Sequence, residues 1–353
     1  MYDVVTIGSA TRDNFLLMDY DLINWPKSPS KKAVVFNWGE KYGVDRVYST
    51  LGGNAANASV TFARQGFRAA CVAKIGSDIA GDEFLAYLKS HKVDVSLIAN
   101  SEDLPTAYSA LLLGKTGERT ILNYHGASDT FKLKDLKLNK MKARWWYVSL
   151  SGASAAMYPA LIAYAKKNGI KVAFNPSGYH LKRHKQAILD SLKDLAFLVL
   201  NKGEAADLVG ISFDNPKIVF QKLDALMPGI VAVTDGPNGV MVSDGKNIYR
   251  AGIFKEKVIV DRTGAGDSFG SGFVAGLMQR ENVRSRKLEV RRQTSNIQHP
   301  TFDIEDIKYA IRLASANATA NVEVLGPTEG LLTKREFLSD PRWKSFKIDT
   351  RPL

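Results

Sequence analysis

The residues best suited to chemistry stand in one short segment near residue 265. A strand is expected to end at Asp261 and a helix to begin near Asp267, with Gly264, Ala265 and Gly266 as a tight turn between them. Backbone N–H groups of such a turn point together at a helix N-terminus, where the helix dipole also favours an anion. The turn is therefore predicted to cradle a phosphate.

Asp267 stands at the mouth of this predicted cradle. Its carboxylate could accept a proton from an attacking hydroxyl while the glycine-rich turn stabilises charge on the group being transferred. The alternative is a helix N-cap with no chemical role. Two roles also stay open for Asp261, six residues upstream: it could bind turn amides at the end of its strand, or help to hold a cation beside the phosphate.

A second segment, GGNAANAS from Gly52 to Ser59, precedes a helix expected over residues 54–65. Paired glycines let backbone approach a ligand closely, and the amide of Asn57 offers both donors and acceptors to hydroxyl groups. The segment is therefore predicted to bind a polyhydroxyl compound. A plain turn before the helix is the alternative.

Together the two segments resemble the two signatures of the ribokinase-like, or PfkB-type, carbohydrate kinases. The later segment matches as Asp, two residues and Gly-Ala-Gly-Asp, and the earlier one continues with Gly66 and Gly76 at the family's spacing. The resemblance implies an α/β fold, a ribokinase-like three-layer αβα sandwich with a mostly parallel central sheet and a small β-sheet lid. It also implies transfer of the terminal phosphate of ATP onto a hydroxyl of a small sugar or sugar-like acceptor, with Asp267 as general base and residues 264–266 as the anion hole.

Weaker matches to the same family follow in order along the chain. The resemblance implies acceptor-binding residues, which are Asp13, Gly52, Gly53 and Asn57. It implies nucleotide-binding residues, which are Asn201, Thr234, Gly236, Gly239 and, bordering the adenine, Asn317. Glu204, in an Asn-x-x-Glu element, is expected to place Mg²⁺ through water, which suits a cation that keeps most of its hydration shell. Asp261 is the candidate ligand of a monovalent cation, for which potassium is the candidate.

Two positions depart from the family pattern. Arg262 follows Asp261, where the family usually has a small hydroxylic residue, and this bears on both the phosphate contacts and any potassium site. At the end of the strand expected over residues 145–150, where ribokinase carries an acidic residue that binds ribose, this chain has Ser149-Leu150-Ser151. Ribose is therefore disfavoured as the acceptor.

The elements around these segments alternate between short apolar runs and helical patterns, as in a parallel sheet covered by helices on both faces. Strands are expected at residues 4–8, 69–75, 145–150, 171–175, 197–201, 230–234 and 258–261. Helices are expected at residues 54–65, 81–91, 155–168, 216–227, 267–280 and 304–322. The polar stretch 281–299 is expected to be an exposed insertion. All 353 residues are assigned to a single kinase domain.

Two stretches break the alternation, at about residues 11–48 and 106–124. They carry aromatic and β-branched residues at a two-residue period, and the second one reads as a hairpin with its turn at residues 115–118. These strands are predicted to form a lid over the acceptor. An exposed lid face is a candidate surface for pairing two subunits into a homodimer.

Composition limits the class of protein. Hydrophobic residues make up 45% and charged residues 24% of the chain, as in an ordinary globular protein, and the formal charge of +12 favours phosphate-bearing ligands. The basic segments are not interleaved with aromatic residues, so a nucleic-acid partner is not expected. The single Cys71 lies in an apolar run, and the N-terminus has no leader pattern, so a cytoplasmic protein without a membrane partner is expected.

Two other functions are weighed against sugar phosphorylation. A nucleoside kinase, acting on an adenosine-like acceptor, would share both signatures and could stack a base on aromatic residues of the lid. These aromatic residues are Phe15, Tyr20, Phe36, Trp38 and Tyr108. A serine hydrolase would use Ser268 in Gly-Asp-Ser-Phe-Gly, with Glu281 or Glu289 and then His299. The residues before Ser268 form a poor strand, which disfavours the hydrolase.

Overall fold

The middle layer of the molecule is a nine-stranded sheet. The computed structural model describes residues 1–28, 31–113, 119–290 and 302–353. The strands, in their order across the sheet, are β17 (Ile348–Pro352), β16 (Asn247–Ala251), β15 (Val240–Ser243), β14 (Ile230–Thr234), β13 (Phe197–Asn201), β12 (Lys171–Phe174), β11 (Ala143–Ser149), β1 (Tyr2–Gly8) and β6 (Ala69–Val72). The pairs from β14 to β6 are parallel, and the pairs from β14 to β17 are antiparallel.

Helices cover both faces of this sheet. One face is packed by α3 (Tyr158–Lys167), α4 (Gly178–Ser191), α5 (Lys202–Val209) and α6 (Pro216–Leu226). The other face is packed by α1 (Asn54–Arg64), α7 (Ala265–Val290), α8 (Ile304–Val322) and α9 (Lys334–Ser339). Trp145 and Trp146 are neighbours in β11 and belong to the two opposite cores, as the two-residue period of a strand requires. The three-layer sandwich is confirmed.

Smaller elements lie at the border of the sheet next to α1. They are β7 (Lys74–Gly76), α2 (Ile79–Ser90) and β8 (Ala99–Ser101). The single strand expected over residues 69–75 is thus divided between β6 and β7. A third core joins Phe84 and Leu88 of α2 to Ala55 and Val60 of α1. Cys71 is buried in this core, and burial raises the pKa of its thiol to about 12, so it behaves as a small apolar side chain.

A separate four-stranded sheet forms the lid. Its order is β10 (Arg119–Tyr124), β9 (Ala107–Leu113), β2 (Thr11–Leu17) and β5 (Arg46–Gly52), and β3 (Asp21–Asn24) pairs with β4 (Lys32–Val35) beside it. The strands of this separate sheet come from the two segments that were predicted to form a lid, with the first one extending to Gly52. The hairpin of β9 and β10 is also confirmed, and its predicted turn at residues 115–118 lies outside the described residues.

Two expectations about the sequence near the phosphate-binding turn are wrong. Residues 258–261 form no strand, because the amides of Val260 and Asp261 bond instead to the carbonyl of Val322 at the end of α8. The helix after the turn continues to Val290, so residues 281–290 extend α7 and do not begin an exposed insertion. Glu281 is buried, with its carboxylate accepting from the side chains of Arg144 and Lys171. Residues 291–299 lie outside the described residues.

The antiparallel strands β15, β16 and β17 were not predicted from the sequence. They extend the sheet next to β14. Among the helices of the described ranges, none combines the length and the apolar character needed to cross a membrane.

Candidate active site

The turn from Gly264 to Gly266 leads directly into α7. Gly264 has a φ of 74°, and a side chain there would lie 3.0 Å from the carbonyl oxygen of Pro327, so only glycine fits. The amide of Ser268 donates to the carbonyl of Gly264 at 2.8 Å, which closes the first turn of the helix. Amides before it lack intrahelical acceptors and remain available to an anion. The amide of Ala265 is the exception, because it donates to the carbonyl of Arg262 at 3.3 Å.

Asp267 is the third residue of α7, and its carboxylate is held by two amides from distant parts of the chain. The side chain of Asn57 donates to Oδ2 at 2.9 Å, and that of Asn175 donates to Oδ1 at 3.3 Å. Burial raises the pKa of Asp267 to about 6, against the opposing effect of the hydrogen bond from Asn57. These contacts place Asp267 in a cluster of polar side chains, and because α7 begins at Ala265, Asp267 is not the N-cap of the helix. A carboxylate with a pKa near neutrality suits a general base.

Asn175 is a site residue that the sequence analysis missed. It follows β12 directly, and its amide donates to the carbonyl of Val148 in the neighbouring strand β11 at 2.9 Å. A polar residue at the carboxyl end of a parallel strand was the available signal, because ligands bind at that edge of α/β sheets. Tyr147 lies close by, and burial, followed by the charge of Asp267, raises the pKa of its hydroxyl. Tyr147 therefore stays protonated beside the carboxylate.

The predicted acceptor-binding residues come together on the other side of Asn57. A side chain added at Gly52 would lie 2.6 Å from Oδ2 of Asp13 and 3.5 Å from Oδ1 of Asn57, so Gly52 lies between them. Gly53 has a φ of 100°, and a side chain there would meet the carbonyl of Ser9 at 2.5 Å. Close approach of neighbouring side chains thus requires glycine at position 52, and the positive φ together with the Ser9 carbonyl requires it at position 53.

Two polar atoms near Asp13 are buried without a hydrogen-bond partner in the described part of the chain. They are Oδ1 of Asn57 and Oγ1 of Thr50, the residue opposite Asp13 in β5. Buried polar groups are almost always satisfied, so orphans at a site point to groups that a ligand supplies. Asp13 itself is buried, and burial raises the pKa of its carboxylate to about 6 against the opposing effect of Ser109. The carboxylates of Asp261 and Glu329 add to this increase in the pKa of Asp13.

A cavity of about 250 Å³ borders the turn, and Asp13 does not line it. Three of the predicted nucleotide-binding residues line it together with Ala265 and Gly266, and these three are Thr234, Gly236 and Gly239. Most of the other walls are apolar, and they are formed by residues that include Pro237, Val240, Ile253, Ile259, Phe269, Ala318 and Val322. A flat apolar group bonded to phosphates fits such a cavity, because the phosphates reach the turn while the apolar part stays between the walls.

Asn317, which was expected to border the adenine, lies elsewhere in the structure. Asn317 is fully buried and does not line the cavity, because its side chain donates to the carbonyl of Ser268 at 2.9 Å and accepts from the amide of Leu332 at 2.9 Å. Ser315 and Thr319 of the same helix line the cavity instead. Arg262 also lines it and is exposed to solvent.

Asn201 and Glu204 stand at the carboxyl edge of the sheet, next to the cavity. Asn201 lies opposite Thr234 in the parallel pair β13–β14. The side chains of Asn201 and Glu204 cap each other's backbone amides, at 2.9 and 2.8 Å, so one carboxylate oxygen of Glu204 is used within the helix terminus. The other oxygen is accounted for by no contact among the described residues, so this half-buried carboxylate fits the role of holding a water of hydrated Mg²⁺. Burial raises the pKa of Glu204.

The carboxylate of Asp261 accepts hydrogen bonds on both of its oxygens. Oδ1 accepts from the amide and hydroxyl of Thr263 at 2.9 and 2.7 Å, and Oδ2 accepts from the amide of Gly326 at 3.4 Å. The role of binding nearby backbone amides is therefore the one that these contacts support. Across the described ranges, no three His, Cys, Asp or Glu side chains are grouped as a metal site would require. Asp261 ties the phosphate-binding turn to the loop that follows α8.

Ser268, the candidate nucleophile of the hydrolase alternative, is fully buried. Its hydroxyl donates to the carbonyl of Gly264 at 2.8 Å, which holds it inside the first turn of α7. Glu281 is bound by Arg144 and Lys171, and His299 lies outside the described residues. No acceptor base faces Ser268 in the residues that the structure describes, which disfavours the hydrolase.

The chain is similar to known sugar and nucleoside kinases. A ribokinase from Mus musculus is 27% identical over 238 residues, which cover 65% of this chain and 72% of the relative. A nucleoside kinase from Methanothermobacter thermautotrophicus is 23% identical over 285 residues, covering 80% and 85%. The structure of an Arabidopsis thaliana ribokinase complexed with ribose and ATP superposes with a TM-score of 0.72 at 19% identity, covering 98% and 99% of the two chains.

The fold of this solved structure is similar to the one described above, a large mostly parallel sheet between helices with a small separate sheet. The family described as pfkB family carbohydrate kinase matches residues 38–334, which include both glycine-rich segments and the cavity. The chain therefore belongs to the pfkB family of carbohydrate kinases.

Proposed function

We propose that the chain transfers the terminal phosphate of ATP to a hydroxyl of a small sugar, with Asp267 as the general base. One observation carries this proposal. The turn at residues 264–266 borders the cavity, while Asp267, the next residue, is bonded at 2.9 Å to Asn57 among the acceptor-binding residues. A single turn of chain thus joins the two halves of the site, as an in-line transfer between two bound substrates requires.

The proposed transfer begins with the acceptor held beside Asn57 and Asp13 under the lid. Asp267 takes the proton of the acceptor hydroxyl, the hydroxyl oxygen bonds to the terminal phosphorus, and the bond between that phosphorus and ADP breaks. The amides of Gly264 and Gly266 stabilise the charge on the migrating group. Mg²⁺, held through water near Glu204, would screen the phosphates. The lid excludes water that would otherwise accept the phosphate.

ATP is the proposed donor because the cavity suits a nucleotide. Its walls are mostly apolar, and Ala265 and Gly266 of the turn line it together with Gly239, which has a backbone conformation that glycine favours. The Arabidopsis ribokinase with a similar fold was solved with ribose and ATP. We carry over the nucleotide from that complex, and not the ribose, because Ser149 here is bonded to the side chain of Asn54 at 2.7 Å.

The lid favours a sugar over a nucleoside as the acceptor. Of the aromatic residues that could stack on a base, Phe15 is fully buried in the lid core and Trp38 is fully exposed. Tyr108 lies next to Ser109 in β9, and because side chains alternate along a strand, it faces away from the row that contains Asp13 and Ser109. Polar side chains therefore surround the acceptor position. The alternative of a nucleoside kinase rests on the similarity to the archaeal nucleoside kinase.

We also propose that two copies of the chain pair through the lid. The lid exposes large apolar side chains from neighbouring strands, which are Val47, Tyr108, Leu122 and Tyr124. Contiguous exposed apolar surface marks interaction sites. Light scattering at micromolar concentration tests this pairing: a dimer that becomes a monomer in Leu122→Asp is expected, and a monomeric wild-type protein contradicts it.

The proposed activity is tested by measuring ATP consumption with Mg²⁺ against a panel of free sugars, sugar phosphates and nucleosides. Turnover with a free sugar, together with detection of the phosphorylated sugar, is expected. Highest turnover with a nucleoside would establish the alternative acceptor. If no acceptor is phosphorylated, and the protein instead cleaves a simple ester in a reaction that Ser268→Ala abolishes, the kinase proposal is wrong.

A further inference from the structure

Carboxylates surround the acceptor position on more than one side. Asp13 lies next to Gly52, and Gly52 lies next to Asn57, whose amide contacts Asp267. The acceptor beside Asn57 therefore has one carboxylate on the lid side and a second on the side of the chemistry. Oδ1 of Asn57, buried and without a partner in the described chain, lies between them and offers an acceptor to a ligand hydroxyl.

Two further carboxylates approach from the loop that follows α8. A side chain at Gly326 would lie 2.3 Å from a carboxylate oxygen of Glu329 and 3.1 Å from the methyl group of Thr50, and the amide of Gly326 donates to Asp261. Pro327 of the same loop lies 2.9 Å from the position of a side chain at Gly52. This loop therefore brings the charges of Glu329 and Asp261 to the acceptor side of the lid.

The cations that the structure describes near this region are engaged elsewhere. Arg12 lies on the opposite face of β2 from Asp13 and pairs with Glu83 at 2.7 Å. Arg64 reaches the loop after α8, but its guanidinium donates to the carbonyl oxygens of Glu329 and Leu331. Among the residues that the structure describes, the acceptor position is therefore bordered by carboxylates, and neither of these two arginines is free to bind an anion there.

We propose that the acceptor is an electrically neutral sugar, and that sugar acids and sugar phosphates are excluded because Asp13, Asp261 and Glu329 repel them. This inference rests on the proposed function. A neutral polyol presents hydroxyl donors, which carboxylates and the free Oδ1 of Asn57 accept. A carboxylate or phosphate on the acceptor would instead meet like charge without a counterion, an arrangement that is strongly unfavourable. The carboxylates around the acceptor position thus select among compounds of similar shape.

The test compares three acceptors with the same number of carbons: the best free hexose from the panel, its 6-phosphate and the corresponding hexonic acid. We expect kcat/KM for the free hexose to exceed that for either anion by at least about a hundredfold. The anions are also expected to inhibit turnover of the hexose weakly, with Ki at least about tenfold above that of a neutral, non-reacting polyol. Equal or better turnover of an anion overturns the inference, and leaves the kinase activity itself established.

Two variants separate charge from shape. Glu329→Gln and Asp13→Asn remove one negative charge each at almost constant volume, and each is expected to lower the ratio of hexose to hexonic-acid kcat/KM by roughly three- to tenfold. The matched control is Glu305→Gln, an exposed position at the start of α8, for which the ratio is expected to stay within about twofold. An unchanged ratio in both test variants overturns the inference. If the wild type phosphorylates none of the three acceptors and none of the panel, the proposed function fails and this inference fails with it.

Discussion

The hydrogen bond from Asn57 to Asp267 makes a quantitative prediction about pH. The bond stabilises the ionised carboxylate, so removing the amide in Asn57→Ala should raise the pKa of Asp267 further above its value of about 6. A hydrogen bond to a charged group contributes about 1.5–3 kcal/mol, and one pKa unit corresponds to about 1.4 kcal/mol. The expected increase in the pKa is therefore about 1–2 units.

The direction in which the pH profile moves follows from the role of Asp267 as the base. Only ionised Asp267 accepts a proton, so activity falls as the pH drops through its pKa, and a higher pKa moves this acidic limb to higher pH. Asn175→Ala should shift the limb in the same direction by less than about 1 unit, because its bond to Asp267 is longer, at 3.3 Å. Loss of acceptor contacts in Asn57→Ala lowers the plateau but does not move the limb.

The assay measures kcat/KM for the acceptor at saturating ATP from pH 5 to pH 9. Asn54→Ala is the matched control, because this amide bonds to Ser149 and not to Asp267. The control limb should stay near pH 6, as in the wild type. An Asn57→Ala profile whose limb coincides with that of the wild type, or lies at lower pH, would refute the assignment of this carboxylate as the titrating base.

Three other predictions concern the same turn. Asp267→Asn should stabilise the protein, because the pKa of this carboxyl group is raised from 3.8 to about 6 and its ionised form opposes folding above pH 6, by up to about 3 kcal/mol. The melting temperature of the variant should therefore exceed that of the wild type at pH 8 and differ little from it at pH 4. An unchanged melting temperature at pH 8 would contradict this. Arg262→Ala should weaken ADP binding roughly tenfold in calorimetry, because an exposed guanidinium at the cavity can bind phosphates. The control Arg335→Ala, at an exposed position on α9, should bind ADP as the wild type does. Equal ADP affinities of Arg262→Ala and the wild type would exclude Arg262 from the nucleotide site. Replacing potassium by sodium should change kcat less than about twofold, because both oxygens of Asp261 are already bonded; activation by potassium above fivefold would mean that this turn opens to take the ion.

Much of the fold and of the acceptor side could be predicted from local patterns. Gly53 and Gly264 have backbone conformations that need glycine, so glycines at these positions of the sequence indicate the two turns without knowledge of tertiary contacts. Alternation of polar and apolar residues in β2 and β9 identified the lid, because only a sheet outside the buried core has that period. The contact between Asn57 and Asp267 joins two segments that resemblance to one family had paired, although they lie 210 residues apart.

The errors have a common physical cause, which is that tertiary partners decide the outcome. Asn317 was expected at the cavity, but an amide can also be buried when both of its ends find backbone partners, as they do at Ser268 and Leu332. Glu281 was expected at the surface, but Arg144 and Lys171 neutralise it in the interior. Neither set of partners can be read from residues adjacent in sequence.

The wrongly predicted strand and the missed site residue have separate explanations. The β-branched run at residues 258–261 has strand composition, yet its amides at Val260 and Asp261 bond to the single carbonyl of Val322 at the end of α8. Asn175 is one polar residue after an apolar strand, a pattern too common to single out a site. Its significance depends on its contact with Asp267 across 92 residues.

Replacement of Asp267 by asparagine tests the central claim most directly. Phosphorylation of the best acceptor by wild type and Asp267→Asn should be measured at pH 7.5 beside the affinity of each protein for ADP. If Asp267 removes the proton, kcat should fall at least about a hundredfold. Because Asp267 does not line the cavity, the dissociation constant for ADP should stay within about threefold. A variant that phosphorylates the acceptor at the wild-type rate would contradict the account.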